Sequence, residues 1–288
     1  SLGKSYDDLH DYETAFKYLS KGNALRAAAS PYDINRRKQG IQEILDVFST
    51  ARLSQYGEGG HPDCRPVFIA GMPRSGKTVV ENILAQHPVI TAGGESADFI
   101  QACTGALGEA GRAEYPEGAR GAGSELFKGV GLEYARRLEE RFSKATISTN
   151  THPFNADYIG MIRLCLPGAR VVLCRRNARD NCLEMLRKDF TRGHLYSCDP
   201  DVLREYFLLQ TGFMDQWLER LPEFIHVVQF EELIQNPADE IRALLDFCEL
   251  PLDDACLDTS LLPPAEKVIG VWRNYSDYCK PLFDTLDP

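Results

Sequence analysis

Several features that define other protein classes are missing from this sequence of 288 residues. Its nine cysteines are scattered and form no C-x-x-C motif, which argues against a structural zinc site or a disulfide framework and favours reduced thiols in the cytoplasm. No apolar run approaches the roughly 18 residues of a membrane-spanning helix, and SLGKSYDDL is not a signal peptide. The formal net charge of −10 excludes a protein that coats nucleic acid.

The first 25 residues contain two short amphipathic helical patterns on either side of a polar hinge at His10–Asp11. Five positions resemble the signature of a tetratricopeptide repeat: Leu2, Gly3, Tyr6, Ala15 and Leu19. One such repeat cannot bury its apolar face alone, so this pattern predicts that earlier repeats precede it in a longer protein. The alternative is a helical hairpin packed on the domain that follows.

After a boundary rich in glycine at 57–60, apolar runs alternate with amphipathic helical patterns. Strands are predicted at 66–71, 89–95, 145–149, 169–176 and 225–230. Helices are predicted at about 34–50, 76–86, 125–143, 178–189, 201–220 and 237–248. This order predicts an α/β domain at 61–288, with a parallel sheet flanked by helices, after an all-α tetratricopeptide-repeat-like segment at 1–60. The glycine-rich stretch 105–123 is predicted to be a mobile surface loop.

The stretch GMPRSGKT at 71–78 follows the apolar run PVFIA and matches the P-loop pattern G-x-x-x-x-G-K-[ST]. Between a strand and a helix, such a loop directs backbone N–H groups and the positive end of the helix at an anion. Gly71 and Gly76 permit the tight turn, while Arg74 and Lys77 add positive charge. The sheet is therefore predicted to be of the P-loop type.

The pattern alone does not identify the anion. A nucleoside triphosphatase also needs magnesium, which an Asp at the end of a second apolar strand usually holds. The predicted strands end instead at Asn150, at Arg175-Arg176 and at Glu231-Glu232. Arginines at a strand end suit a second negative group better than a metal ion.

Together with its surroundings, the loop resembles the 5′-phosphosulfate loop of sulfotransferases. The likeness is strongest to a bacterial branch that is joined to tetratricopeptide repeats and related to the protein-tyrosine sulfotransferases. It covers nearly the whole chain, through GMPRSGKT, ENILAQHP, GGE at 93–95, and the segments 152–186, 227–257 and 268–275. The resemblance implies transfer of a sulfuryl group from 3′-phosphoadenosine 5′-phosphosulfate (PAPS) to a hydroxyl or amine, with no metal.

The same resemblance implies roles for individual residues near the sulfuryl group. The 5′-phosphosulfate is expected to contact Arg74, Ser75, Gly76, Lys77 and Thr78. Glu95 matches the glutamate that is the catalytic base in related protein-tyrosine sulfotransferases, although such a residue is also compatible with a solvated acid at a helix start. His152 is the second candidate base, and packing beside Pro153 is its alternative role.

For the 3′-phosphate of the donor, the resemblance implies Arg176 at a strand end. Arg273 and backbone amides near Gly270 are expected to close the site from the other side, because a guanidinium binds phosphate with two donors. The alternative role for Arg273 is a surface ion pair beside Trp272.

Several positions depart from the family pattern, among them Arg176-Asn177-Ala178 in place of R-D-P and the segment 268–272 in place of S-V-G-R-W. Lys77 stands where the family has a threonine, Thr151 where it has a lysine, and Glu184 where a serine contacts the 3′-phosphate. Lys77 is expected to replace the lost cation as a catalytic residue, with Glu184 paired to it or to Arg187. Alternatively, Glu184 repels a 3′-phosphate and the donor site has changed.

Two other functions stay open at this point. One is an ATP-dependent small-molecule kinase that uses the same loop with magnesium, and the other is a catalytically silent domain that only binds partners. The acceptor is expected to be a protein or peptide recruited by the repeats, although a glycan, lipid or small metabolite fits the sequence as well. The stretch 105–123 is expected to border the acceptor site.

Overall fold

The computed structural model describes residues 2–57, 59–142, 147–190, 193–284 and 286. The strands are β1 (Val67–Gly71), β2 (Ile90–Thr91), β3 (Ile147–Asn150), β4 (Arg170–Arg175) and β5 (Ile225–Gln229). The helices are α1 (Leu2–Asp8), α2 (Tyr12–Ala29), α3 (Ile34–Val47), α4 (Thr50–Tyr56), α5 (Lys77–Leu84), α6 (Asp98–Glu109), α7 (Ser124–Arg141), α8 (Asn155–Cys165), α9 (Ala178–Arg187), α10 (Pro200–Arg220), α11 (Phe230–Gln235), α12 (Pro237–Phe247) and α13 (Lys280–Phe283).

The described strands form one parallel sheet in the order β2-β3-β1-β4-β5. In β1 the registered pairs run from Val67 opposite Arg170 to Gly71 opposite Cys174. The chain winds to one side of β1 to form β3 and to the other side to form β4. A crevice therefore opens at the carboxyl ends of these strands, where open α/β sheets bind their ligands. The residues after Gly71 lie at this edge.

Both faces of the sheet are buried, as the continuous apolar runs predicted. Phe68 and Ala70 point into the core with α7 and α8, whereas Val67 and Ile69 point into a second core with α5 and α12. A strand covered on both sides needs apolar residues at every position, which explains the sequence VFIA. The predicted α/β fold, with its helix-flanked parallel sheet, is confirmed.

The N-terminal helices pack against the α/β part of the chain. Phe48 is fully buried, and its ring lies where a side chain at Gly160 of α8 would have to be. In α2, the Asn23 side chain donates to the carbonyl of Leu186 in α9 at 2.9 Å. The segment is all-α as predicted, and its description as a tetratricopeptide-like repeat remains a prediction.

The prediction of a mobile surface loop over 105–123 is wrong in part, because the first five residues belong to a helix, whereas its mobility stays a prediction. Helix α6 extends to Glu109, and Ala119 and Ala122 are buried. Arg52 donates to the carbonyls of both alanines, at 2.7 and 2.8 Å, so the glycine-rich backbone is held by side-chain donors from another helix. Single-sequence patterns do not reveal such a distant partner.

Some predicted boundaries also differ. The helix predicted at 34–50 ends at Val47, and a new helix begins after Ser49, whose hydroxyl caps it by accepting from the N–H of Arg52. The strand predicted at 89–95 is only two residues long, and helix α8 was not predicted. Residues 145–146 of the strand predicted at 145–149 lie outside the described residues.

Candidate active site

The loop between β1 and α5 makes two turns that need glycine. Gly71 and Gly76 have φ of 139° and 101°, in the region that side chains disfavour. A Cβ on Gly76 would lie 2.4 Å from the ring of Phe230, and one on Gly71 would lie 2.5 Å from the carbonyl oxygen of Cys174. Gly76 is the N-cap residue of α5 and has no side chain to occupy the first N–H groups of the helix. The loop therefore presents free backbone donors at the carboxyl end of β1.

A cavity of ≈ 610 Å³ lies against this loop. Its lining is rich in positive charge although the chain as a whole is acidic. Five basic residues face two acidic ones, Glu95 and Glu184; the basic residues are Arg74, Lys77, Arg176, Lys188 and Lys267. Another part of the wall is apolar and consists of Val79, Phe230, Pro263 and Val268. The cavity suits an anion that also carries a flat apolar group.

Lys77 is the most deeply buried cation of this cavity, with 9% of its surface exposed. Its ammonium group donates to the carbonyl of Thr151 at 3.3 Å. Burial lowers the pKa of Lys77, while Cys174, Glu95 and Glu81 oppose that shift. The single long hydrogen bond leaves capacity for an anionic partner.

The backbone before Glu95 is held by a buried carboxylate. Glu81 accepts from the hydroxyl of Thr149 at 2.6 Å and from the N–H of Gly94 at 3.0 Å. The carbonyl of Gly94 in turn accepts from the N–H of Thr151 at 2.9 Å. These bonds fix the residue before Glu95 against β3, so that the exposed Glu95 side chain lines the cavity near Lys77.

Two histidines lie near Glu95, and one of them was not predicted. Glu95 raises the pKa of His152 and of His194, but burial outweighs this effect and lowers both pKa values. His152 accepts from the N–H of Phe154 at 3.3 Å and is not among the described residues that line the cavity. His194 does line it, and its Nδ1 lies 3.0 Å from the hydroxyl of Tyr196. Neither a motif nor a periodicity marks His194 in the sequence.

Glu184 lies between two arginines. Its carboxylate is 3.1 Å from Arg74 and 3.1 Å from Arg187. The predicted pair with Arg187 is present, a pair with Arg74 accompanies it, and the Lys77 ammonium donates to Thr151 instead. Arg187 also pairs with Asp7 of α1. Because two guanidinium groups share its charge, Glu184 places less negative potential on the cavity than an isolated carboxylate would.

The sequence model of the sulfotransferase family matches residues 66–254, which is well over half of the chain. The chain belongs to the sulfotransferase family. An uncharacterized protein of Aquifex aeolicus is 29% identical over 99% of this chain. Protein-tyrosine sulfotransferase 1 of Danio rerio is 25% identical over 66% of it. The chain spans only 40% and 55% of the length of these two relatives.

Similar solved structures also carry the sulfotransferase name. STF9 of Mycobacterium avium aligns over 93% of this chain and 94% of its own, with 15% identity and a TM-score of 0.49. The sulfotransferase domain of the curacin biosynthetic pathway covers 68% of this chain and 78% of its own, with 14% identity and a TM-score of 0.47.

In this sulfotransferase family member, Arg176 connects the loop to the C-terminal segment. Its guanidinium donates to the carbonyl of Arg74 at 2.9 Å and to that of Val268 at 2.6 Å, and lies 5.0 Å from the centre of the Phe230 ring. Burial lowers the pKa of Arg176. The hydrogen bond from Arg176 to the carbonyl of Arg74 stabilises the unusual backbone of Arg74, whose φ is 67°.

Three other predicted residues do not line the main cavity. The N–H of Gly270 donates to the carboxylate of Asp180 at 2.6 Å. Arg273 is exposed, with its guanidinium 5.2 Å from the centre of the Trp272 ring. Ser75 is buried and lines a neighbouring cavity of ≈ 410 Å³. Their predicted contacts with a donor stay predictions.

The family pattern also left Lys188 and Lys267 unmarked, although both line the cavity. Lys188 stands four residues after Glu184, so the helical period places it on the same side of α9. That signal was available in the sequence. Within the described ranges, no group of three or more side chains is arranged to hold a metal ion, and no helix has the length and hydropathy needed to cross a membrane.

Proposed function

We propose that this chain transfers a sulfuryl group from PAPS to a hydroxyl or amine acceptor. The observation that carries the proposal is the cavity at the carboxyl end of β1, where five cations and the free N–H groups of a P-loop face two carboxylates. Membership of the sulfotransferase family supports it independently.

The residues of the cavity fit such a donor. Gly76 leaves room at the start of α5 for a 5′-phosphosulfate, and Arg74, Lys77 and Thr78 supply charge and a hydroxyl. The apolar wall with Phe230 suits an adenine ring. When bound, PAPS supplies an activated sulfuryl group and leaves as adenosine 3′,5′-bisphosphate.

Glu95 is proposed as the base that takes the proton of the acceptor. It lines the cavity with Lys77, whereas His152 does not, so Glu95 is favoured over that histidine. The buried ammonium of Lys77 is proposed to stabilise the negative charge that develops on the leaving phosphate, in place of the family lysine that is Thr151 here. Phe190 and Pro153 form an apolar part of the wall of the same cavity.

The kinase alternative needs a carboxylate that is free to hold magnesium. Glu231, in the first turn of α11 directly after β5, accepts from the N–H of Asn177 at 2.8 Å, and its other oxygen accepts from the Gln229 side chain at 2.6 Å. Because both oxygens of Glu231 already accept hydrogen bonds, this carboxylate is not free to hold magnesium. We take this as support for sulfuryl transfer over phosphoryl transfer.

The acceptor is proposed to be a protein or peptide that the N-terminal repeat-like segment recruits in the cytoplasm. All nine cysteines are free thiols, and eight of them are buried, which suits a reducing compartment. Incubation of a cell lysate with labelled PAPS would identify the acceptor.

Calorimetry tests the donor. Adenosine 3′,5′-bisphosphate should bind without magnesium and more tightly than ADP or ATP, and Lys77→Ala should abolish both binding and turnover. Preference for ATP with magnesium would favour the kinase, and absence of binding by all three nucleotides would favour a silent domain. Lys128→Ala, on the exposed side of α7, is the matched control.

A further inference from the structure

We propose that Glu81 is a positioning residue that holds both catalytic groups of the proposed reaction, the carboxylate of Glu95 and the ammonium group of Lys77. This inference rests on the proposed function. It starts from the buried face of α5, which carries two charged residues, Lys77 and Glu81, with 9% and 7% of their surfaces exposed. Charged side chains are rarely this buried unless other groups hold them.

Lys77 and Glu81 stand four positions apart, so the helical period places them on the same side of α5. Each of them is bonded to a different segment of the chain. The ammonium group of Lys77 donates to the carbonyl of Thr151, which follows β3. The carboxylate of Glu81 accepts from the hydroxyl of Thr149 in β3 and from the N–H of Gly94. One face of α5 is therefore attached to both segments that flank Glu95.

Hydrogen bonds join the two residues in a closed circuit. Glu81 accepts from the N–H of Gly94 at 3.0 Å, and the carbonyl of Gly94 accepts from the N–H of Thr151 at 2.9 Å. The carbonyl of Thr151 in turn accepts from Lys77 at 3.3 Å. Helix α5 closes the circuit because it carries both Lys77 and Glu81. A shift of Glu81 would therefore be transmitted to the turn that precedes Glu95 and to the carbonyl that holds Lys77.

The turn before Glu95 is packed tightly against β3, and Glu81 supplies the acceptor that this packing requires. A Cβ on Gly93 would lie 2.0 Å from the carbonyl oxygen of Thr149. The N–H of Gly93 donates to the hydroxyl of Thr149 at 3.1 Å, and this hydroxyl donates to Glu81 at 2.6 Å. Loss of the carboxylate would leave the Thr149 hydroxyl and the N–H of Gly94 without this acceptor. The turn that carries Glu95 would then rearrange.

The charge of Glu81 also acts on Lys77. Burial lowers the pKa of Lys77, while Cys174, Glu95 and Glu81 oppose that shift. Burial also raises the pKa of the Cys174 thiol to about 12 and lowers the pKa of both nearby histidines, so these groups are neutral at mildly alkaline pH. The two carboxylates are then the negative charges that stabilise the protonated form of Lys77. The titratable and charged groups around Lys77 are Glu81, Glu95, Cys174, His152, His194 and Arg74.

Glutamine separates the two effects, because both hydrogen bonds of Glu81 end on the same carboxylate oxygen, Oε1. Glu81→Gln keeps this acceptor and removes the charge, whereas Glu81→Ala removes both. Calorimetry would measure the Kd of adenosine 3′,5′-bisphosphate between about pH 7 and pH 10. The affinity should fall as the pH rises through the pKa of Lys77, where the cation is lost. In Glu81→Gln this fall should begin about 0.5 to 1 pH unit lower than in the wild type.

The second measurement is the rate of label transfer from saturating labelled PAPS to a heat-treated cell lysate. Glu81→Ala should lower this rate about 10- to 100-fold, because Glu95 loses its position, and Glu81→Gln should stay within about threefold of the wild type at pH 7. Thr149→Val removes the hydroxyl that donates to Glu81, so it should lower the rate about three- to tenfold and leave the pH dependence of binding unchanged. Glu43→Gln, on the exposed side of α3, is the matched control for the chemical change.

The proposal is wrong if the wild type and Glu81→Gln show the same pH dependence of binding, or if neither Glu81→Ala nor Thr149→Val lowers the rate. A role of Glu81 in folding alone would lower the thermal midpoint of the variants without moving either of these measurements. The binding measurement needs no acceptor, so it decides the role of the charge whatever the lysate contains. A wild-type protein that neither binds the bisphosphate nor transfers label would contradict the proposed function itself, so the two failures give different results.

Discussion

The carboxylate of Glu184 bridges Arg74 of the loop between β1 and α5 and Arg187 of α9, at 3.1 Å from each guanidinium. This arrangement accounts for a glutamate at the position where the resemblance implies a serine that contacts the donor. Its charge is matched by neighbouring arginines, and a phosphate of the proposed donor would have to compete with it for Arg74.

Removal of this charge should strengthen donor binding. Glu184→Gln releases Arg74 for the ligand and eliminates a like charge at the cavity wall, so the affinity for adenosine 3′,5′-bisphosphate should rise about two- to fivefold. Calorimetry at low and high salt checks this, since the gain should shrink as salt screens the charges. Glu133→Gln, which removes a carboxylate paired to Arg136 and Arg137 on α7, is the control. Weaker binding in Glu184→Gln would mean that Glu184 holds Arg74 in its working position.

The buried charge of Lys77 should lower the free energy of unfolding of the protein, although the same charge is proposed to bind the donor. Burial lowers its pKa below the ordinary 10.5, so at neutral pH the fold carries a charge that lacks a full set of partners. Lys77→Met should raise the free energy of unfolding by about 1–3 kcal/mol at pH 7. The gain should fade as the pH rises through the lowered pKa of the folded state, and it should vanish above 10.5, where the lysine is neutral in both states.

Urea unfolding with and without adenosine 3′,5′-bisphosphate measures both effects. The wild type should be stabilised by the ligand, and Lys77→Met should not. Lys128→Met, at an exposed position, is expected to match the wild type in both respects. A loss of stability in Lys77→Met would show that the ammonium group is better satisfied than its single bond to Thr151 indicates.

Asp180 should matter for both stability and donor binding. Its two oxygens each accept a backbone N–H, and asparagine offers only one acceptor atom there. Asp180→Asn should therefore lower the free energy of unfolding by about 1–3 kcal/mol and weaken the bisphosphate, because Lys267 is no longer fixed relative to α9. Asp253→Asn, at an exposed helix cap, is the control for the chemical change. Unchanged affinity would separate the C-terminal segment from the donor site.

The protein should lose stability as the pH falls below about 6.5. Burial lowers the pKa of His152, His194 and His226. The unfolded chain therefore takes up protons first, which favours unfolding, while above this range all three are neutral in both states and contribute nothing.

The contribution of one histidine can be isolated. His226 stacks on Phe247, with ring centroids 5.1 Å apart, and its Nε2 is buried without a partner. His226→Phe should keep the packing and make the free energy of unfolding less dependent on pH between about 7 and 5. An identical slope in the variant and the wild type would contradict this prediction.

Removal of the predicted N-terminal segment should destroy the fold. Ile44, Val47 and Phe48 share one core with Phe68 of β1 and Phe127 of α7. A chain of residues 61–288 would expose those partners, so it should be insoluble or fail to unfold cooperatively. A chain that lacks only 1–30 keeps Phe48 and should retain more structure. Circular dichroism and urea unfolding compare the two.

How much of the fold and of the candidate site could be predicted from the sequence depends on the kind of interaction. The sheet was predictable because buried parallel strands need continuous apolar runs, and the loop was predictable because its glycines and lysine are adjacent in the chain. The pairing of Glu184 with Arg74 joins residues 110 positions apart, and the contacts of Arg52 with 119–122 span about 70. No local pattern encodes such pairs. His194 was missed for the same reason, since only the fold brings it near Glu95 and Lys77.

Arg187 forms ion pairs with two carboxylates that lie far apart in the sequence, Asp7 in α1 and Glu184 in α9. The first helix lies outside the part of the chain that the family description covers. It is nevertheless connected to Arg74, which lines the main cavity, through three ion pairs in series. A substitution of Asp7 should therefore alter the electrostatic environment of Arg74. The functional part of this protein thus includes residues well before the loop at 71–78.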